Sequence, residues 1–257
     1  MTGSALETVL RRDRAVVLAA LAALAILCWL YLVSLASTPM VMDGMAPQVA
    51  AWSGEAAIAT LLMWAVMMVG MMTPSVAPMI LMYARVARQA QSRGTPFAPA
   101  GWFALGYFLA WTGFALLATA LQWGLERALL ISPMVAEAIP LFGGALLIVA
   151  GAYQWTPLKN ACLTQCQSPL IFIQRNGGFR GQRGASLALG LRHGAYCIGC
   201  CWALMLLLFV GGVMNLLWIA AIGALVLAEK LIPGRLFQRV TGLALIAAGA
   251  LLLLRTA

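Results

Sequence analysis

Residues 15–33 run for nineteen positions without a charge, and no other feature constrains the fold as much. As a helix at about 1.5 Å per residue, such a run reaches about 30 Å, the thickness of a lipid core. Inside a bilayer every backbone amide must find its partner within the chain, so a run of this kind is helical. Further apolar stretches follow, separated by short segments that hold most of the charge. Of all residues, 63% are apolar and 9% charged, where a soluble domain carries about 25% charged residues. The expected fold is all-α, a polytopic transmembrane helical bundle forming one integral membrane domain over residues 1–257.

Seven spans are expected, at about 15–36, 56–83, 101–122, 138–155, 185–210, 213–229 and 240–254. Arg11, Arg12 and Arg14 precede the first. A basic flank before an apolar run also describes a signal peptide, but the run exceeds the roughly 7–15 residues of a signal-peptide core. It reads as a span with the amino terminus inside. Residues 37–55 contain no Lys or Arg and should face outward, whereas Lys159, Arg175, Arg180 and Arg183 mark an inner loop. The alternation leaves the carboxyl terminus outside. The net charge of +9 is that of inner loops under the positive-inside rule, and nucleic acid is not an expected partner.

The second span carries Pro74 and Pro78, which remove ladder hydrogen bonds. A kink or an unwound turn is expected over 73–78. Trp102 and Trp123 suit the two interfaces of the third span, and Glu126 is expected in a short outer loop.

The chemistry lies in residues 193–205. Here stand three of the six cysteines and the only histidine. On a helix, His193, Cys197, Cys200, Cys201 and Met205 fall at i, i+4, i+7, i+8 and i+12, which is one face. The preceding inner loop adds Cys162 and Cys166, four apart between Pro157 and Pro169. A short helix there would carry both thiols on one side, and a re-entrant path would bring them against the first stripe. Lys159 or Arg192 could balance the charge of thiolates gathered at such a place.

Thiolates from two separate segments suit a soft transition metal ion: Cu(I), Zn(II) or an iron–sulfur cluster. The methionines favour Cu(I), because thioether sulfur is a poor ligand for Zn(II). Met63, Met67, Met68, Met71, Met72, Met79 and Met82 lie in the second span, and Met40, Met42 and Met45 in the loop before it. Thioethers outside and thiols inside would give an inward-moving ion progressively tighter ligands. The candidate metal ligands are Cys162, Cys166, Cys197, Cys200 and Cys201. His193, Met67, Met68, Met71 and Met72 are auxiliary.

The chain resembles a bacterial family of predicted metal-binding integral membrane proteins of unknown function. The resemblance rests on Met71-Met72-Thr-Pro74 with Ala77-Pro78-Met79, on Tyr153-Gln154 with Pro157-Leu158-Lys159 and Cys162-Leu163-x-x-Cys166, and on His193-Gly194 with Cys197-x-Gly199-Cys200-Cys201-Trp202. Glu229-Lys230 also fits. It implies a multi-pass protein of the bacterial inner membrane that holds a metal ion. Where the family pattern often has a basic residue after the second loop cysteine, this chain has Gln167.

Several readings stay open at this level. One is handling or movement of copper, with a metallochaperone or a larger membrane complex as partner. Another is a membrane thiol–disulfide oxidoreductase using Cys197-x-x-Cys200 with Cys162 and Cys166. A third is a non-catalytic assembly subunit whose cysteines pack against helices near Gly190, Gly194 and Gly199. A haem hung on His193 is the weakest. Glu229-Lys230 reads as a pair at a helix end.

Overall fold

The structure is a computed structural model that describes residues 3–37, 52–94, 98–131, 139–177 and 182–256. The described residues form nine α-helices and no strand. They are α1 (Gly3–Ser37), α2 (Gly54–Ser92), α3 (Ala100–Arg127), α4 (Pro140–Tyr153), α5 (Pro157–Gln167), α6 (Pro169–Arg175), α7 (Arg183–Leu206), α8 (Leu216–Leu231) and α9 (Arg235–Thr256). A 3₁₀ turn, Leu207–Phe209, extends α7. Met40, Met42 and Met45 lie outside the described residues.

Each of the seven expected segments is helical, but they are not equal. Five helices are long and apolar enough to cross a membrane: Arg14–Ser37 within α1, then α2, α3, Arg183–Phe209 and Arg235–Arg255. The expected spans at 138–155 and 213–229 are shorter. Helix α4 has 14 residues and α8 has 16, which at about 1.5 Å per residue falls short of a ~30 Å core. Helix α4 stops because the chain turns after Tyr153, and α5 leaves at 68° to it. Thr156 caps the new helix by accepting from the Lys159 backbone amide at 3.3 Å, and Pro157 occupies its first turn. The last span is longer than expected, beginning at Arg235.

Helix α2 is unbroken through Pro74 and Pro78, so the expected unwound turn is absent. Two side-chain hydroxyls bond carbonyls beside the prolines, although the carbonyls that lose their i+4 donors are those of Gly70 and Pro74. Thr73 Oγ1 donates to the Val69 carbonyl at 2.6 Å and Ser75 Oγ to the Met72 carbonyl at 2.9 Å.

Helix α7 is the most buried of the long helices and α1 the least. It packs most closely on α3, where the backbones nearly touch. A Cβ on Gly106 would stand 2.1 Å from the Leu187 carbonyl oxygen, and one on Gly190 would stand 2.0 Å from that of Phe103. Small residues permit this approach. Outward faces carry bare apolar side chains such as Ile26, Leu27, Leu117 and Leu217, as lipid-facing surfaces do.

Glu126 is not in a loop. It is buried in the last turn of α3, where it accepts from Trp52 Nε1 at 2.7 Å and from Gln122 Nε2 at 3.0 Å. Gln122 in turn accepts from Trp64 Nε1 at 2.8 Å. This network ties the start of α2 to the end of α3.

Candidate metal centre

Helix α5 lies against α7, and this contact builds the centre. The Sγ atoms of Cys166, Cys197 and Cys200 all lie within 4.8 Å of one another. Cys197 and Cys200 are buried and Cys166 is half-buried. All six cysteines are free. An ion bonded to three sulfurs at about 2.3 Å needs them about 4 Å apart, so this trio is of the right size to close on one ion.

Cys162, one turn before Cys166, lies over the α7 backbone. A Cβ added to Gly199 would stand 2.8 Å from its Sγ. Tyr153 closes the same edge by donating to the Gly199 carbonyl at 2.5 Å. Cys201 is buried, and its thiol and that of Cys200 each donate to the Cys197 carbonyl at 3.0 Å.

Cys197 has the richest surroundings. Lys230 Nζ, from the end of α8, donates to its sulfur at 2.9 Å. The same ammonium donates to Ser75 Oγ at 2.8 Å, and Ser75 sits between the two prolines of α2. Tyr107 OH lies 3.1 Å from the Cys197 sulfur. The cationic partner of the thiols is thus neither Lys159 nor Arg192. Arg192 is exposed. Lys159 is wholly buried and paired with Glu229 Oε2 at 2.7 Å. Gln167, in the place of a basic residue, donates to the Glu229 carbonyl at 2.7 Å. Glu229 and Lys230 therefore do not pair with each other. Adjacent helical residues point about 100° apart, and these two reach different helices.

His193 is buried one turn before Cys197, with its ring centroid 4.8 Å from that of Phe172 and 5.8 Å from those of Phe103 and Tyr107. Its Nδ1 is buried without a hydrogen-bond partner. Met67, Met68, Met71 and Met72 are all buried in the core along α2. Met72 touches the hydrogen-bond network of the thiols. Its Sδ is 3.9 Å from Ser75 Oγ, which holds the Lys230 ammonium that bonds Cys197.

Reading the sequence singled out the cysteines and His193 but missed Tyr107, Ser75 and the role of Lys230. One signal was available. A Lys directly after a Glu at the end of an apolar segment must place the two on different sides, so each needs its own partner.

Residues 61–252 match the PpoB2 family, described as copper chaperone. The chain belongs to that family. No curated protein and no solved structure matches the chain. Copper suits the donor set, three soft sulfurs in a buried place beside an ammonium. The copper-chaperone family and the cysteine cluster both fit copper binding.

Proposed function

We propose that the protein is a membrane-embedded copper chaperone that holds one Cu(I) ion on the thiolates of Cys166, Cys197 and Cys200. The single observation that carries this reading is the meeting of three thiols from two helices within 4.8 Å. Cys162 and Cys201 flank the trio as further thiols for exchange, and His193 is an auxiliary group. Three thiolates with one monovalent ion carry a charge of −2, and the Lys230 ammonium lowers it to −1. The Lys159–Glu229 pair, neutral as a unit, ties α5 to α8 and so keeps Cys166 near Lys230.

The ion would approach along the α2 methionines. The burial of Met67, Met68, Met71 and Met72 in one row along α2 supports that route. Seven spans with the amino terminus inside are part of this proposal, with α4 and α5 together as one bent span and the short α8 crossing where the bilayer thins around it. In that topology the centre lies toward the inner side of a bacterial inner membrane. The chain hands the ion to a partner protein or complex.

A competition titration tests the reading. Protein purified in detergent without oxygen is titrated with Cu(I) against a chromophoric Cu(I) chelator. The expected result is a single tight site that weakens at least 100-fold in Cys166→Ser and in Cys197→Ser. Equal affinity in both variants would contradict the assignment. Thiols that bind no copper but pair on mild oxidation would favour a redox enzyme instead.

A further inference from the structure

A second polar pocket lies away from the thiols, where the turn after α4 meets the first turns of α5 and α9. It measures about 300 Å³ and is lined by Gln154, Trp155, Asn160, Arg235, Gln238 and Arg239. Three properties set it apart from an ordinary surface hollow. It contains two guanidiniums and no carboxylate, and among the described residues neither Arg235 nor Arg239 makes an ion pair. Gln154 is 1% exposed, yet neither its Oε1 nor its Nε2 has a hydrogen-bond partner. A buried amide left unpaired is unfavourable, so an external group at this place would satisfy it. Helices α5 and α9 both begin here, and a helix start is the positive end of its dipole.

Neighbouring groups are already engaged and do not fill this need. Asn160 Nδ2 donates to the Thr156 carbonyl at 3.1 Å, and Trp155 Nε1 donates to the Arg239 carbonyl at 3.3 Å. Lys159 is held by Glu229. What remains for a ligand is two guanidiniums and the side-chain amides of Gln154 and Gln238. A complementary ligand offers anionic oxygens to the guanidiniums and amide N–H groups and a hydroxyl to an amide oxygen.

We propose that this pocket binds a phosphate group that carries a free hydroxyl. Two sources share that chemistry: the headgroup of an anionic phospholipid such as phosphatidylglycerol, and inorganic phosphate from solution. The pocket would be a second site, with no ligand in common with the copper centre. Trp155 at its rim is half exposed and would rest beside the lipid glycerol and chains in the first case.

The test uses the full chain in neutral detergent after delipidation, with native mass spectrometry for lipid and calorimetry for phosphate. Probes are phosphatidylglycerol beside phosphatidylcholine, and inorganic phosphate beside chloride. Variants are Gln154→Glu, which puts a like charge in the pocket, and Arg235→Gln with Arg239→Gln, which removes both cations. Arg255→Gln, at the far end of α9, is the control, and the size-exclusion profile reports folding in every sample. The expected result is at least tenfold tighter binding of phosphatidylglycerol than of phosphatidylcholine. That preference is lost in both pocket variants and kept in the control, with the elution profile unchanged. Phosphate binding with the same variant pattern and no lipid preference supports the site and names the soluble anion as its occupant. Preference for neither probe, or equal binding by the pocket variants and the wild type, overturns the proposal.

Discussion

The Lys230 ammonium donates to the Cys197 sulfur across 2.9 Å while its other end contact is the Ser75 hydroxyl at 2.8 Å. One cation thus joins α8, α7 and α2 at the place where the thiols gather. A charge-assisted hydrogen bond of this kind is worth about 1.5–3 kcal/mol, and every 1.4 kcal/mol is tenfold in affinity. Lys230→Gln, which keeps a donor but removes the charge, should weaken Cu(I) binding by about tenfold or more on the same scale. A chelator competition titration reads this directly. Unchanged affinity would remove Lys230 from the charge balance of the centre.

The buried pair Lys159–Glu229 makes a stability prediction with a definite pattern. Removing one partner strands the other as an unpaired buried charge, at about 3–5 kcal/mol. Lys159→Met and Glu229→Leu should each lower the unfolding temperature in detergent markedly. The double change Lys159→Met with Glu229→Leu should recover most of the loss, because two apolar residues leave no charge behind. Additive losses would show that the two act independently.

Much of this site was legible in the sequence because helical periodicity puts residues at fixed spacings on one face. His193, Cys197, Cys200, Cys201 and Met205 share a face by spacing alone, and all five are buried. Pro157 and Pro169 bounded the loop cysteines, and α5 forms between them. What spacing cannot carry is contact between distant segments. Tyr107 and Cys197 are 90 positions apart, and Ser75 and Lys230 are 155 apart. Their meeting depends on close α3–α7 approach and on the unbroken path of α2. Proline chemistry argued for a kink or an unwound turn there, but α2 stays helical through both prolines. Hydropathy did put the end of the fourth segment near 155, close to where α4 stops at Tyr153, but it could not show that α5 leaves at 68° to α4.

Two glycines set the spacing on which the centre rests. Gly106→Ala or Gly190→Ala would drive a Cβ into the backbone of the facing helix at 2.1 or 2.0 Å. Either change should separate α3 from α7, move Tyr107 from Cys197 and reduce monodisperse yield in size-exclusion chromatography. Gly113→Ala, on the same α3 with nothing within 4 Å of its Cβ position, should be neutral or slightly stabilising. Equal behaviour of the three variants would contradict the packing described.

His193 sits in a cage of three aromatic rings, and its Nδ1 has no partner. It is outside the trio of sulfurs that lie within 4.8 Å of one another. His193→Phe should therefore keep one copper per chain and the unfolding temperature of the wild type or slightly above. Loss of copper by elemental analysis, with the fold intact, would promote His193 from an auxiliary group to a ligand.

The central claim is that Cys166, Cys197 and Cys200 together hold one copper ion. Copper per chain, measured by elemental analysis on protein purified without oxygen or chelator, tests it most directly. The triple variant Cys166→Ser, Cys197→Ser, Cys200→Ser is measured beside the wild type, with Cys28→Ser as a control for the lone cysteine of α1. The account predicts about one copper per chain in wild type and control, and none in the triple variant that still elutes as a folded species. Copper retained by the triple variant, or absent from the wild type, would contradict it.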